Sequence, residues 1–199
     1  MRNGRAAVFF DRDGTLIEDV GYLATAEGLH MISGAGKAVR SLNERSFLTF
    51  VVSNQSGVAR GCFTEADLVP IHRRLENELA HDHARLDRIY YCPHHPTLGT
   101  PPYRATCDCR KPRTGMFRRA AEEFDVDFQR SYVVGDKAAD IEAGRAVGAR
   151  TILVLTGYGQ SALQECRAAG FAPDAVKPSV AEAVGYILQQ SEGDVLKHA

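Results

Sequence analysis

The chain has 199 residues, 44% hydrophobic and 25% charged, a balance that excludes wholesale disorder and a length that suits one domain. Lys and Arg number 24 against 25 Asp and Glu, a net charge of −1, so nothing global draws it to nucleic acid or anionic lipid. No apolar run approaches the roughly 20 residues of a membrane span, and the five apolar residues after Met1-Arg2-Asn3-Gly4-Arg5 are too few for a secretory leader.

Ala6 to Phe10 is a continuous apolar run that stops at Asp11, as a strand buried on both faces does. Ala35 to Glu44 reads as a short helix with Val39 and Leu42 inward, and Phe47 to Val52 as a second strand ending at Ser53-Asn54. Thr64 to Ala84 opens with Thr64 and Asp67, close to a capping box. Its stripe is Leu68, Ile71, Leu75 and Leu79, and Pro70 is expected to kink the helix or delay its regular start. Ile89 to Tyr91 forms a third, shorter strand. The Pro-, Thr-, Cys- and His-rich stretch from Cys92 to Pro112 is too long for an ordinary connection and needs its own stabiliser. Helix Gly115 to Phe124, strand Tyr132 to Val134, helix Ala138 to Val147 and strand Thr151 to Leu155 follow, then helices at Ala162 to Ala169 and Val180 to Gln189. The alternation predicts a doubly wound α/β fold, a three-layer sandwich around a five-stranded parallel sheet. Residues 1–199 read as a single domain, and no gap between motifs is long enough for a large cap.

In such a fold the chemistry gathers beyond the carboxyl ends of the strands. Polar clusters stand there: Asp11-Arg12-Asp13-Gly14-Thr15, Ser53-Asn54-Gln55-Ser56-Gly57, Arg110-Lys111-Pro112 and Gly135-Asp136-Lys137. Two carboxylates that close, Asp11 and Asp13, call for a compensating cation, and Mg²⁺ takes carboxylates together with phosphate oxygens. Asp136 can add a carboxylate, while Lys111 and Ser53 can hold a phosphoryl group. A carboxylate can attack phosphorus to form an acyl phosphate, and a second can protonate the leaving alcohol and then activate water. Gly14 and Gly57 fit close approach of backbone amides to phosphate. Any one piece alone reads as a turn; the four in this order do not.

These four motifs resemble those of the haloacid dehalogenase superfamily of phosphatases, over nearly the whole chain and least from Tyr158 to Ala199. The resemblance implies Asp11 as nucleophile and Asp13 as general acid/base. It implies Mg²⁺ on Asp11, the Asp13 backbone carbonyl and Asp136, and phosphoryl stabilisation by Ser53 and Lys111. It brings Asp19, Val20, Gly21, Tyr22, Ser53, Asn54, Gln55, Ser56, Arg110, Lys111 and Lys137 into contact with a phosphorylated sugar, gives Asp140 a supporting role, and lends the strand order 5-4-1-2-3. Among its relatives the sugar bisphosphate phosphatases stand nearest, with histidinol-phosphate phosphatase the alternative. A zinc-stabilised binding module with a vestigial site is the non-enzymatic reading, and the presence of both Asp11 and Asp13 counts against it.

The five cysteines are Cys62, Cys92, Cys107, Cys109 and Cys166. Their odd number and clustering suit a metal site in a reducing, cytoplasmic setting better than a disulfide framework. Cys92-x-His94 and Cys107-x-Cys109 offer a Cys₃His set for a structural, tetrahedral Zn²⁺, with His95 an open alternative and the superfamily's own loop favouring His94. A fixed zinc knuckle would aim Arg110 and Lys111, which follow at once; Arg110 can grip a second phosphate bidentately. Arg118 and Arg119 read as a solvated basic face, no interleaved aromatics suggest nucleic acid, and no long apolar stripe demands an oligomer.

Overall fold

The structure is a computed structural model and describes residues 4–196; Met1, Arg2 and Asn3, on which the leader argument partly rests, lie outside them. Six strands form one parallel sheet in the order β3-β2-β1-β4-β5-β6. They are β1 Ala7–Phe10, β2 Leu48–Asn54, β3 Arg88–Cys92, β4 Tyr132–Gly135, β5 Arg150–Val154 and β6 Ala175–Lys177. The helices are α1 Ala35–Glu44, α2 Glu65–His81, α3 Gly115–Phe124, α4 Ala138–Val147, α5 Gly159–Ala168 and α6 Val180–Leu196. The sheet keeps the expected order but has six strands rather than five. Strand β6 escapes the sequence because its three residues carry no apolar run and Val176 is 38% exposed; it is a strand by its pairing with β5.

Strand β1 lies at the centre, with Val8 opposite Thr49 of β2 and Tyr132 of β4. Its side chains alternate between the two faces. Val8 and Phe10 join a core made with α1, α2 and α6, through Val39, Leu42, Leu68, Ile71, Leu75, Leu79, Val184 and Ile187. Ala7 and Phe9 turn to the other face, where Met116, Phe117 and Ala120 of α3 and Ala143 of α4 cover them. There Phe9 lies 5.0 Å from the Phe50 ring and 5.1 Å from that of Phe117. Each such side chain, fully buried, contributes about 1.5–3 kcal/mol relative to exposure. A smaller cluster places Cys166 of α5 beside Ile141 and Leu153, whereas Cys62 is exposed.

The capping box of α2 is present, with Thr64 N donating to Asp67 Oδ2 and Asp67 N to Thr64 Oγ1. Because that cap holds the first turn, α2 begins at Glu65, ahead of Pro70, and the proline does not delay the start. Between Asp11 and α1 the chain holds only a 3₁₀ turn at Ala26–Gly28, leaving the strand ends without a large cap. Among the described residues no helix is long and apolar enough to cross a membrane.

Candidate active site

The carboxyl ends of β1, β2 and β4 set the site. Asp11 follows Phe10 directly, Ser53 and Asn54 end β2, and Asp136 follows Gly135. Lys111 arrives from the long loop after β3 and is only 4% exposed. Its Nζ donates to Asp11 Oδ1 at 3.0 Å and to the Val52 carbonyl, and pairs with Asp140 Oδ1. Lys137, at the N-cap of α4, places Nζ 3.2 Å from Asp19 Oδ2 and 3.8 Å from both Asp11 Oδ2 and Asp136 Oδ1. Asp140 Oδ2 accepts from Lys137 N, and Asp136 Oδ2 from Tyr158 N at 2.9 Å.

Burial alone would raise the Asp11 carboxyl, but the Lys111 and Lys137 ammonium groups overcome it and hold it below the usual carboxylate range. Asp136 goes the other way: burial first, then the Asp11 charge, pushes it up to about 8. Burial also opposes the charges on Lys111 and Lys137, yet their carboxylate neighbours keep both above the ordinary lysine value. Four carboxyl groups (Asp11, Asp19, Asp136 and Asp140) thus face two ammonium groups, so that full ionisation would leave two negative charges uncompensated. Asp11, Asp136 and Asp140 can bring one oxygen each within 4.8 Å of one another, and the buried Asp136 Oδ1 has no hydrogen-bond donor. An all-oxygen set with that charge deficit fits a hard divalent cation.

Asp13 is held differently from what the D-x-D spacing predicts. Its carboxylate needs no metal to balance it, because the buried Arg12 grips it twice, Nε to Oδ2 at 3.1 Å and Nη2 to Oδ1 at 3.0 Å. Gln55, expected at the ligand, is 4% exposed and bonded to Arg12, Asp13 and Ser53. Asn54 exchanges hydrogen bonds with the Lys111 backbone, Nδ2 to O at 3.1 Å and N to Oδ1 at 3.0 Å, and so braces the lysine. Ser56 lends its carbonyl to a turn closed by Arg60 N. The two glycines also serve other ends. Gly14 (φ +82°) has its amide bound to Ile17 O at 2.8 Å, and a Cβ there would strike Asp136 Oδ2. A Cβ on Gly57 would strike the Phe63 ring, so packing alone already requires a glycine there.

Asp19 is tied to Lys137 and accepts from Gly21 N at 2.7 Å, which turns the loop through Gly21 (φ +83°). Val20 and Tyr22 on that loop are 52% and 47% exposed, and the Arg60 guanidinium lies 5.8 Å from the Tyr22 ring centre. Sequence reasoning passed over Arg12, Thr156 and Tyr158. An arginine between two aspartates is itself a neutralisation signal, whereas Thr156 Oγ1 donating to Gly14 O and the Tyr158 amide on Asp136 leave no local trace.

Beyond β3, Cys92, His94, Cys107 and Cys109 bring their ligand atoms within 4.8 Å of one another. The sulfurs stand 3.2–3.5 Å apart and His94 Nδ1 is 3.5 Å from Cys109 Sγ and 3.7 Å from Cys92 Sγ. Zn–S bonds of about 2.3 Å give a tetrahedron with edges of about 3.8 Å, so the set is sized for a metal ion. His95 is turned away, its Nδ1 accepting from Thr97 N and Leu98 N. Arg110 Nη1 donates to the His94 carbonyl at 3.2 Å. Of the distal arginines, Arg118 pairs with Asp108 and Arg119 with Glu123.

A HAD-hydrolase-like family profile matches residues 108–183. The D-glycero-beta-D-manno-heptose-1,7-bisphosphate 7-phosphatase of Haemophilus ducreyi is 41% identical over 92% of this chain and 99% of its own length. The protein of the same name from Escherichia coli O6:H1 is 44% identical over 79% of this chain and 83% of its own. Among solved structures, the D,D-heptose 1,7-bisphosphate phosphatase of B. bronchiseptica, complexed with magnesium and phosphate, superposes with a TM-score of 0.80 at 31% identity, over 93% of this chain and 99% of that one. The chain belongs to the heptose-bisphosphate phosphatase family of HAD-like hydrolases and is, by class, a phosphoric monoester hydrolase.

Proposed function

We propose that this protein removes the 7-phosphate of D-glycero-D-manno-heptose 1,7-bisphosphate through an aspartyl phosphate on Asp11. The observation that carries the reading is the pairing of a buried Asp11, kept ionised by Lys111 and Lys137, with a second carboxylate, Asp13, held two residues away. Asp11 Oδ attacks phosphorus while Lys111 and the Ser53 hydroxyl stabilise the charge on the phosphoryl oxygens. Asp13 protonates the departing sugar oxygen, then takes a proton from the water that hydrolyses the acyl phosphate. Asp11, the Asp13 carbonyl and Asp136 are the residues suited to hold Mg²⁺, which when bound neutralises charge on the phosphoryl group. Cys92, His94, Cys107 and Cys109 suit Zn²⁺ in a structural role, with no position left for substrate.

Arg110, aimed by its hold on the His94 carbonyl, serves the distal phosphate, and Asp19 to Tyr22 with Lys137 line the sugar side. Residues 1–199 then act as one catalytic unit that includes the 92–109 loop, working as a monomer in the cytoplasm, where thiolate ligands stay reduced. The test compares kcat/KM on both heptose bisphosphate anomers and histidinol phosphate with Mg²⁺ supplied, the heptose substrates being expected to lead by at least about tenfold. Preference for histidinol phosphate would reassign the substrate. Asp11→Asn is expected to abolish turnover, and near-native activity in that variant would refute the covalent route.

A further inference from the structure

We infer that Gln55 is a positioning residue that sets the proton polarity of the site, acting through Ser53 and Asp13 rather than on the substrate. This rests on the phosphatase reading above. The Gln55 amide is 4% exposed and all its near partners are protein groups. Oε1 accepts from Arg12 Nη2 at 2.9 Å, and Nε2 donates to Asp13 Oδ2 at 2.9 Å and to Ser53 Oγ at 2.7 Å. The reverse amide orientation would set an N–H against a guanidinium and a carbonyl against a carboxylate, so the partners themselves decide it.

Two consequences follow from that orientation. A serine hydroxyl has one hydrogen to donate. Because the Gln55 amide already donates to Ser53 Oγ, the hydroxyl hydrogen is free for an incoming phosphoryl oxygen instead of being lost on a neighbour. The second amide hydrogen holds Asp13 Oδ2, which together with the two contacts from Arg12 fixes the carboxylate's plane and its distance from the hydroxyl. One side chain at the end of β2 therefore sets both the group that steadies the phosphoryl oxygens and the group that moves the leaving-group proton. No other residue bonds both Ser53 and Asp13 among the described hydrogen bonds.

The test is a pair of substitutions of near-equal size. Gln55→Met removes the donors. Gln55→Glu keeps the shape but presents only acceptors, repelling Asp13 and capturing the Ser53 hydrogen. With heptose bisphosphate and with 4-nitrophenyl phosphate, kcat is expected to fall by about 30-fold in Gln55→Met and by about 300-fold in Gln55→Glu, with KM within about threefold of wild type. In a Ser53→Ala background the Gln55→Met loss should shrink to less than about tenfold, since one of its two targets is gone and the Asp13 contact remains. Thermal midpoints are followed alongside. A raised KM with unchanged kcat would make Gln55 a substrate contact and overturn the inference. So would a loss that persists in full in the Ser53→Ala background, or one that tracks a fall in thermal midpoint. If the wild type hydrolyses 4-nitrophenyl phosphate but not heptose bisphosphate, the substrate reading fails alone, and Gln55 is judged on the aryl ester.

Discussion

The strand-end carboxylate site holds Lys111 and the sulfur cluster beyond β3 holds its neighbour Arg110, and they do so by opposite means. At the strand ends, rigid parallel strands carry buried charges that neutralise one another: Lys111 lies between Asp11 and Asp140, and Arg12 grips Asp13. In the loop from Cys92 to Cys109 there is almost no apolar burial, Cys92 being the one ligand that is fully buried. There three sulfurs and an imidazole converge, a set through which a bound metal would cross-link the loop in place of a core. A sheet can support unsolvated charge because its backbone is already fixed, whereas a loop must be cross-linked before it can aim anything.

That contrast can be broken in graded ways. The largest effect is expected for Lys111→Met, which strands the Asp11 and Asp140 carboxylates without a counter-charge. Stability should fall by about 3–5 kcal/mol in denaturant titration and kcat by about 10²–10³-fold; an unshifted unfolding midpoint would show that the buried pairing carries no stability. Next, purified protein should hold one Zn²⁺ per chain, and stripping it with a strong chelator should cost about 10–100-fold in kcat. Far-UV circular dichroism should change little, because the two main cores draw on the sheet and its helices. If chelation melted the sheet as well, the loop and the sheet would be one cooperative unit and the comparison would fail.

The smallest effect concerns His72, packed behind the carboxylate site against the Tyr91 ring. Burial, helped by the Arg12 charge, lowers its pKa from 6.5 to about 4. Between those values the unfolded chain binds a proton that the folded chain does not, so stability rises with pH across this window and is lost as pH falls through it. About 2 kcal/mol should disappear between pH 6.5 and pH 5, and His72→Leu should flatten that segment of a stability-versus-pH curve. A wild-type curve that is already flat there would mean His72 is solvated in the native state.

Much of this was legible in the sequence where the physics is local. Continuous apolar runs such as Ala6 to Phe10 announce doubly covered strands, and α1, α3 and α4 begin and end where their patterns do. The strand order came from resemblance, since crossover connections leave no local mark. Strand β6 was invisible because its partner, not its composition, makes it a strand. Within the site, Asp11, Ser53, Lys111 and Asp136 stood out by their place after strands. For Asn54 and Gln55 the sequence marked the position but not the hydrogen bonds that hold them. Their partners, Lys111 at the far end of a long loop and the Arg12–Asp13 pair, are 57 residues away in one case and 42 or 43 in the other.

Asn54 has one more consequence. It lies opposite Cys92 in the sheet register and bonds both backbone groups of Lys111, while Gln55 N donates to Cys92 O at 2.8 Å. The loop therefore leaves the sheet and returns to it at the same two residues. Only the stretch between His94 and Cys107, outside the four converging ligands, is left free of that double anchoring. The lysine is thus kept in register by backbone hydrogen bonds at the loop's base rather than by the length of the stretch between its ligand pairs.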